Sequence, residues 1–521
     1  MRKSGRAGRW AAAMLLMSPL VATAQSGLGA APPRDGPATS APAVPASAPS
    51  ESAEKATPAA PPRGPQYMAL RFNDDFSYLD GPTGSFAPDW FDPIKNIHLN
   101  DDWRLLLGGE LRERMESETN RTFGARDPGQ DTFLLQRLTL HADLKYRKLF
   151  RVFLEGIDAP AFDKDLPLAP NQENRFDLSQ AFFDFRPAGE NVPLTLRGGR
   201  QELSYGRQRV LGKLDWVQST RRFDGVKLMW QSPLIDVDVF WTKPVLQVPE
   251  QFRPPLGPRI DEGLNRKPDH FREQQQFYGL YSTFKGIKNH VVDVYFLGLN
   301  DENDDFEYFS PNGQTGRFET YTYGARFAGT TWNFDYDVEA AGQFGHAAGD
   351  PIRGAMVGAD AGYTFKELPT TPRFGLGFDF ATGDDTPRDG SIETFNQLYP
   401  TAHAPLGYLD LVGRQNIISP NVNFSFKPVK NVTVTALYYH FWLASDQDAL
   451  YNVAGIGSRR DVSGSAGRDV GDELDLTVNW QIDPHSSLLI GASHFWPDGF
   501  INHSGRSEDA DLLYVQWVFK F

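Results

Sequence analysis

Charged residues alternate with apolar ones in the stretch LLLGGELRERME, which spans residues 105–116. Residues two positions apart share one face of a β-strand, so Glu110, Arg112, Arg114 and Glu116 would lie together, opposite the leucines. A guanidinium group binds a carboxylate through two hydrogen bonds and stays charged when partly dehydrated. This face could therefore pair transiently with the carboxylates of a passing ligand. A strand with one charged and one apolar face is typical of a wall between water and lipid.

The same parity places further charged side chains on the inner face of the predicted strands. The residues predicted to line a pore and bind its substrate are Arg112, Arg114, Arg137, Lys145, Arg151, Arg197, Arg200, Arg207, Arg209, Lys227, Arg326, Arg373, Glu110, Asp143 and Asp184. Arg197 and Arg200 differ in parity, so both face inward only if Gly198 and Gly199 form a β-bulge. Arg207 and Arg209 fall in the loop that follows, and would form a basic vestibule by folding inward.

Many acidic residues share the inward parity. Beyond the three above they are Glu155, Asp236, Asp238, Asp293, Asp335, Asp337, Glu339, Asp360, Asp379, Glu473 and Asp475. Most cations fall in the first third and many acids in the later strands, which predicts an asymmetric pore with a basic lane along one wall. Two interpretations stay open: the cations conduct anions, or the charges pair across neighbouring strands and hydrate the lumen.

Alternating segments recur along the rest of the chain. The predicted strands are 104–116, 132–146, 149–158, 175–186, 192–202, 220–231, 234–243, 276–286, 289–299, 317–329, 332–345, 352–366, 372–382, 417–428, 431–443, 470–482, 486–496 and 509–521. Short links such as 232–233 alternate with long loops such as 203–219, as they do in barrels with periplasmic turns and external loops. We therefore predict an all-β fold: a transmembrane antiparallel β-barrel of about 18 strands, preceded by a disordered Pro/Ala-rich linker.

Aromatic residues support this interpretation. The last predicted strand alternates apolar and polar residues and ends on Phe521, and Trp230, Trp241, Trp480 and Trp496 fall near predicted strand ends. Amphipathic rings favour that position because it lies at the level of the lipid headgroups. At about 18 strands the lumen is too wide for side chains to fill, so it should hold water.

The chain divides into four predicted parts. Residues 1–24 have the basic start, apolar core and small-residue cleavage site of a signal peptide. Residues 25–66 form a flexible Ala/Pro-rich linker. Residues 67–102 regain aromatic residues and form an irregular segment at the periplasmic mouth or inside the barrel, and residues 103–521 form the barrel.

The bulk composition excludes several classes of protein. The chain has no Cys, so it has no disulfide framework and no thiol chemistry. Its mean hydropathy is -0.44, and it lacks an apolar run of about 20 residues, which excludes a helical membrane protein. A net charge of -14 disfavours nucleic acid as a partner.

Other chemistry is weakly indicated. Candidate Ca²⁺ ligands in external loops are Asp301, Asp304, Asp305, Asp384, Asp385 and Asp389, although without the Gly spacing of an EF-hand solvated loop acids are the favoured interpretation. His485 and Ser487 raise the alternative of a barrel hydrolase, but the sequence contains no nucleophile signature, so we expect no enzyme and no other cofactor.

Several motifs resemble the alginate-export outer-membrane porin family. They are RFNDDFSYL (71–79), GGELRERME (108–116), LLQRLTLHADL (134–144), FRVFLEG (150–156), GRQELSYGRQRVLG (199–212), RFDGVKL (222–228), and TGDDTPRDG with ETFNQLYPTAHAPLGYLDLVGRQN between 382 and 416. The resemblance runs from about Tyr67 to the C-terminus. It implies an eighteen-stranded, monomeric outer-membrane barrel that passes an anionic polysaccharide or oligosaccharide.

The alternative within transport is a porin that imports small anions or sugars. The partners expected for either are the polyanionic or other saccharide substrate, outer-membrane lipid and lipopolysaccharide, the barrel-assembly machinery and periplasmic polysaccharide-synthesis proteins.

Overall fold

The computed structural model describes residues 64–82, 84–125, 129–166, 168, 171–246, 268–302, 316–387, 389–401 and 403–521. The predicted signal peptide and nearly all of the predicted linker lie outside these residues, as do Asp304 and Asp305.

Eighteen long strands form the wall of the molecule. They are β1 (Trp103–Thr119), β2 (Gln130–Tyr146), β3 (Phe150–Ala159), β4 (Asn174–Phe185), β5 (Leu194–Gln201), β6 (Phe223–Gln231), β7 (Ile235–Leu246), β8 (Gln275–Phe284), β9 (His290–Asp301), β10 (Phe318–Thr331), β11 (Phe334–Ala347), β12 (Asp350–Thr364), β13 (Arg373–Ala381), β14 (Ile417–Val429), β15 (Val432–Trp442), β16 (Asp469–Gln481), β17 (Ser486–Pro497) and β18 (Ala510–Lys520).

Each strand pairs antiparallel with the next along the chain, and β18 pairs with β1 to close the ring. In that closing pair Glu110 lies opposite Lys520, and the backbones of Gly109 and Phe521 exchange hydrogen bonds of 2.8 and 3.0 Å. Closure leaves the sheet without an edge, as a wall inside lipid requires. The predicted fold class is confirmed, with strand bounds within about three residues of those expected from the alternation.

The two faces of the wall differ as the alternation predicts. On β6, Val226, Leu228 and Trp230 point outward and are 49%, 41% and 40% exposed, whereas Lys227 and Met229 point inward and are buried. The outward apolar side chains form the band that lipid covers. Short links such as 147–149 and 430–431 mark the periplasmic rim, and the long links lie at the other end.

Smaller elements lie at the ends of the barrel. Two 3-10 turns (Arg71–Asn73 and Ser77–Asp80), the helical turn Asp92–Lys95 and the strand Ile97–His98 precede β1. Short strands at Ala161–Phe162 and His270–Phe271 extend the wall, Ala449–Tyr451 pairs with Gly457–Arg460, and the helix Gly499–Ser504 precedes β18. Among the described residues no helix is long and apolar enough to cross a membrane.

Candidate functional site: the lumen and its two inner loops

Two long loops fold into the barrel. The first inner loop comprises residues 202–222, between β5 and β6, and the second comprises residues 382–416, between β13 and β14. Leu203 and Leu211 of the first loop, and Phe395 and Val412 of the second, are buried in one core cluster with inward side chains of the wall. A lumen too wide for wall side chains to fill is therefore occupied largely by chain from these loops.

The two inner loops are joined by backbone hydrogen bonds. The N–H of Tyr399 donates to Val210 O at 3.0 Å, Gly212 N–H donates to Tyr399 O at 2.8 Å, and Thr401 N–H donates to Gln208 O at 2.9 Å. The Thr401 hydroxyl also donates to the Gln208 side-chain oxygen at 2.7 Å. Because these bonds cross the middle of both loops, the loops form one constriction.

The arginines of β1 and β2 hold the first inner loop through its carbonyls. Arg112 donates to Asp215 O and Val217 O at 2.7 and 2.9 Å, and Arg114 donates to Trp216 O at 2.7 Å. The Arg114 guanidinium also lies 3.8 Å from the centre of the Trp216 ring, close enough for a cation–π interaction.

Arg137 completes this basic anchor. It contacts the Asp215 side chain at 2.9 Å and Glu110 at 2.7 Å, so it links the loop to the wall. Arg112, Arg114 and Arg137, which the sequence marks for substrate, are therefore held by the protein itself.

On the opposite wall, acidic side chains bind arginines of the same constriction. Arg209 of the first inner loop reaches Asp337, Glu339 and Asp360 at 2.6, 3.3 and 2.6 Å. Arg414 of the second inner loop donates to Asp379 at 3.0 Å. The asymmetry predicted from the sequence thus has a structural use: the basic wall binds loop carbonyls, and the acidic wall binds loop arginines.

The other predicted pore cations pair with neighbouring acids. The pairs are Lys145–Asp143 (3.2 Å), Arg151–Asp143 (2.7 Å), Arg197–Asp184 (2.7 Å), Arg207–Asp360 (3.4 Å), Lys227–Asp238 (3.4 Å), Arg326–Asp293 (2.7 Å) and Arg373–Asp335 (2.6 Å). Arg207, Lys145 and Arg373 are the more accessible of these cations, with side chains 38%, 38% and 26% exposed. This geometry is that of the second interpretation given above, in which charges pair across strands.

Arg200 does not share the lumen with Arg197. Strand β5 pairs with β4 and β6 without a register shift at Gly198 or Gly199, so the bulge that would turn both arginines inward is missing. Arg200 instead lies on the opposite face and pairs with Asp224 at 2.8 Å. The bulge occurs in β4, where Ser179 is an extra residue opposite β3.

The segment before β1 lies across the periplasmic mouth. Arg71 donates to Gly109 O at 3.2 Å and to Phe521 O at 3.4 Å, and Lys95 donates to Leu107 O at 2.9 Å. The Phe72 ring packs inside the barrel, 5.3 Å from the Phe182 ring. The segment thus contacts both positions that the sequence leaves open, with Phe72 inside the barrel and Arg71 and Lys95 bound to carbonyls of β1 and of Phe521 near the rim.

Burial perturbs several ionisable groups at this mouth. Burial and the neighbouring Arg71 lower the pKa of Lys95 to about 8. Burial raises the pKa of Glu202, in the first inner loop, to about 7, against the opposing charge of Lys213. Although burial alone would raise it, the pKa of Asp215 is held well below its ordinary value by Lys213, Arg137 and Arg112.

Glu202 and Asp215 line a small cavity of about 50 Å³ between the mouth segment and the first inner loop. Its charged lining residues are Arg71, Arg137, Lys213, Lys520, Glu110, Glu155, Glu202 and Asp215. Cations and acids are equal in number there.

Sequence reasoning missed the contacts made by the inner loops. Trp216 stacks on His403 with ring centres 3.7 Å apart, which ties the two loops together beside Arg114. The sequence predicted that the first loop would fold inward at Arg207 and Arg209, but it signalled the second loop only through the motifs between 382 and 416, as resemblance and without a position. Asp215 and Arg414 likewise lie in loops, where the period of two that assigns strand faces does not apply.

The predicted metal ligands do not form a shared centre in the part of the chain that the structure describes. No group of three or more His, Asp or Glu placed to hold an ion is found among those residues. Asp301 accepts a hydrogen bond from Gln275 at 2.8 Å, and Asp389 accepts two from Ser391 at 2.8 Å.

A closed antiparallel barrel with an apolar outer face, a polar lumen and inward-folded loops defines an outer-membrane channel of the porin type. The model of the Alginate export family matches residues 103–514, and the chain belongs to that family. A comparison with curated protein sequences finds no match.

Solved porin structures share this fold. The crystal structure of OccD3 (OpdP) from Pseudomonas aeruginosa has a TM-score of 0.51 and 11% identity, covering 82% of this chain and 93% of that chain. The crystal structure of OccAB3 from Acinetobacter baumannii has a TM-score of 0.52 and 11% identity, covering 80% of this chain and 99% of that chain. The protein is an outer-membrane β-barrel channel.

Proposed function

We propose that the protein conducts an oligosaccharide or polysaccharide across the outer membrane when its two inner loops shift. The observation that carries this is the construction of the constriction, which is docked in the lumen by hydrogen bonds and ion pairs on opposite walls. Water can replace these polar contacts when the loops move, at the additional cost of exposing the apolar side chains that the loops bury. Membership of the Alginate export family supports a saccharide as the cargo.

An alginate-like polyanion is the cargo that the family description suggests, and import of small anions or sugars is the alternative. Every cation proposed for the lumen is already engaged, so the fixed charge offered to a polyanion is small. We therefore expect weak selectivity between anions and cations, together with passage of sugars.

Liposome swelling tests this proposal. Liposomes that contain the purified protein should swell in iso-osmotic solutions of neutral di- and trisaccharides and of uronate oligomers of matched length. Empty liposomes and liposomes with heat-denatured protein are the controls. Failure to swell with any saccharide, including with a variant whose constriction is loosened, would refute the proposal.

A hydrolase is disfavoured, although His485 does have a carboxylate partner that the sequence did not indicate. A carboxylate oxygen of Asp89 lies 2.7 Å from Nε2 of His485, and Nδ1 of His485 lies 2.7 Å from the carbonyl oxygen of Lys520. These contacts dock the mouth segment on the barrel and leave no imidazole nitrogen for a nucleophile. Hydrolysis of phospholipid or lipid A by the purified protein would reverse this inference.

The remaining expected partners belong to the same proposal. We infer contact with lipopolysaccharide at the outer rim, assembly by the barrel-assembly machinery, cooperation with periplasmic polysaccharide-synthesis proteins and a monomeric state. Ca²⁺ in an external loop stays a prediction.

A further inference from the structure

One wall of the lumen has mainly uncharged polar side chains, with the apolar Leu437 beside them, where other walls carry charges. On the inward faces of β14, β15 and β16, in their periplasmic halves, lie Asn423, Ser425, Thr433, Thr435, Thr477 and Asn479, which we name the neutral lane. The mouth segment packs on β1 and on Phe153 and Phe182 of β3 and β4, and at the rim Asp89 contacts His485 in the link between β16 and β17.

The register makes the lane a compact patch. Ser425 lies directly opposite Thr435, which lies opposite Thr477, and Thr433 lies opposite Asn479. Neighbouring strands are about 5 Å apart, and residues two apart along a strand are about 7 Å apart. The hydroxyl and amide groups therefore recur at spacings comparable with the width of a sugar ring.

Five of the six lane residues offer polar groups to a ligand, whereas Thr477 is buried. Ser425, Thr433 and Thr435 are partly exposed and Asn479 is exposed, and within the described residues their side chains make no hydrogen bond to the protein. Asn423 accepts one hydrogen bond, from Arg373 at 2.5 Å, and keeps its amide N–H groups.

A buried carboxylate ends the lane. Asp475 follows Thr477 on the same face of β16, is 0% exposed, and neither of its oxygens accepts a hydrogen bond of ordinary geometry. Glu473, the next residue on that face, is also 0% exposed and accepts from Leu409 N–H at 2.9 Å. The second inner loop covers this pair, and Gly407, at φ +91°, passes so close to Glu473 that a Cβ would lie 2.4 Å from its carboxylate.

Ser493, the Tyr408 N–H and Glu473 lie close to Asp475 but outside ordinary hydrogen-bond geometry. A buried carboxylate held in this way is costly, and two well-placed saccharide hydroxyls would satisfy it better. A uronate carboxylate would instead be repelled by the negative charge of the Asp475–Glu473 pair. Neutral hydroxyl and amide groups bind each sugar weakly, which suits a path along which cargo must also leave.

We propose that the neutral lane, with Asp475 at its head, is a saccharide-binding site that recognises sugar hydroxyls and not acidic groups. This rests on the proposed channel function and assigns the substrate class to uncharged or sparsely charged saccharides. Cargo enters along β14–β16, and its hydroxyls replace the second inner loop at Asp475 as that loop moves.

Single-channel recording in planar bilayers tests the site. A neutral glucose hexasaccharide, added on the periplasmic side, should interrupt the ion current of the parent protein. Thr435→Val and Asn479→Leu should each raise the rate at which the saccharide leaves by roughly 2- to 10-fold, the loss of about one hydrogen bond. Thr195→Val, an inward threonine of β5 on the opposite wall, is the matched control and should behave as the parent.

Charge provides a second readout. A uronate hexamer should interrupt the current less often than the neutral hexamer, and Asp475→Asn should narrow that difference, because the repelling charge is removed. All variants should first be shown to fold by the gel shift between heated and unheated samples.

The outcomes separate the two proposals. If saccharides interrupt the current but the lane variants match the parent, or if uronate binds more tightly than the neutral hexamer, the neutral lane is refuted while the channel stands. If no saccharide interrupts the current or swells liposomes, the channel proposal fails and the lane fails with it.

Discussion

At the scale of single residues, the charges of the lumen act chiefly on one another. Arg209 is the clearest case, since one guanidinium compensates Asp337, Glu339 and Asp360 and is itself only 2% exposed. Removing one partner of a buried ionic cluster costs about 3–5 kcal/mol, because the remaining charges stay buried and uncompensated.

Arg209→Ala should therefore release the first inner loop from the acidic wall. We expect a higher and noisier single-channel conductance and a lower unfolding midpoint in denaturant. Arg207→Ala is the control, because Arg207 lies in the same loop, is 38% exposed and reaches Asp360 only at 3.4 Å. Equal effects of the two substitutions would show that Arg209 does not anchor the loop.

At the scale of elements, period-two alternation located the strands and their faces, because lipid and water impose it locally. The alternation could not show where in the barrel the inner loops lie. The contacts between Arg112 and Val217, or between Gln208 and Thr401, join residues over 100 positions apart, and loops have no period that reveals their direction. Arg200 shows a further limit: whether a bulge falls in β5 or β4 depends on pairing with both neighbours.

A disulfide between the inner loops tests whether they must move. The side chains of Gln208 and Thr401 touch, with Oε1 and Oγ1 2.7 Å apart, and the chain has no native Cys. Gln208→Cys with Thr401→Cys, once oxidised, should suppress saccharide-driven swelling, and reduction should restore it. Each single variant should swell normally under both conditions. Unchanged swelling with the disulfide formed would mean that cargo passes beside fixed loops.

The mouth segment should dock more firmly as pH rises. The pKa of Lys95 is lowered to about 8 in the folded protein from about 10.5, so between these values the undocked state binds more protons than the docked one. Docking therefore strengthens from pH 8 towards 10.5 and is weakest below 8, where Lys95 is charged in both states.

A fluorophore on Ser85→Cys would report this docking by its anisotropy. We expect anisotropy to increase between pH 8 and 10.5 in the parent, and to stay level when Lys95 is replaced by Met. An increase that persists in Lys95→Met would assign the effect to another group.

At the scale of the whole molecule, paired charges predict a pore with little net ion selectivity. Arg373 and Asp335 are suited to test this, since they pair at 2.6 Å while keeping side-chain exposures of 26% and 39%. Arg373→Ala should leave an accessible carboxylate and shift the reversal potential towards cations, and Asp335→Asn should shift it towards anions. The double variant should return close to the parent, because the two changes cancel in charge.

A basic lane that conducts anions predicts a different result. The parent would be strongly anion-selective, Arg373→Ala would lose much of that selectivity, and Asp335→Asn would gain almost none. Reversal potentials under a salt gradient decide between these, and low salt is preferable because screening weakens accessible charges.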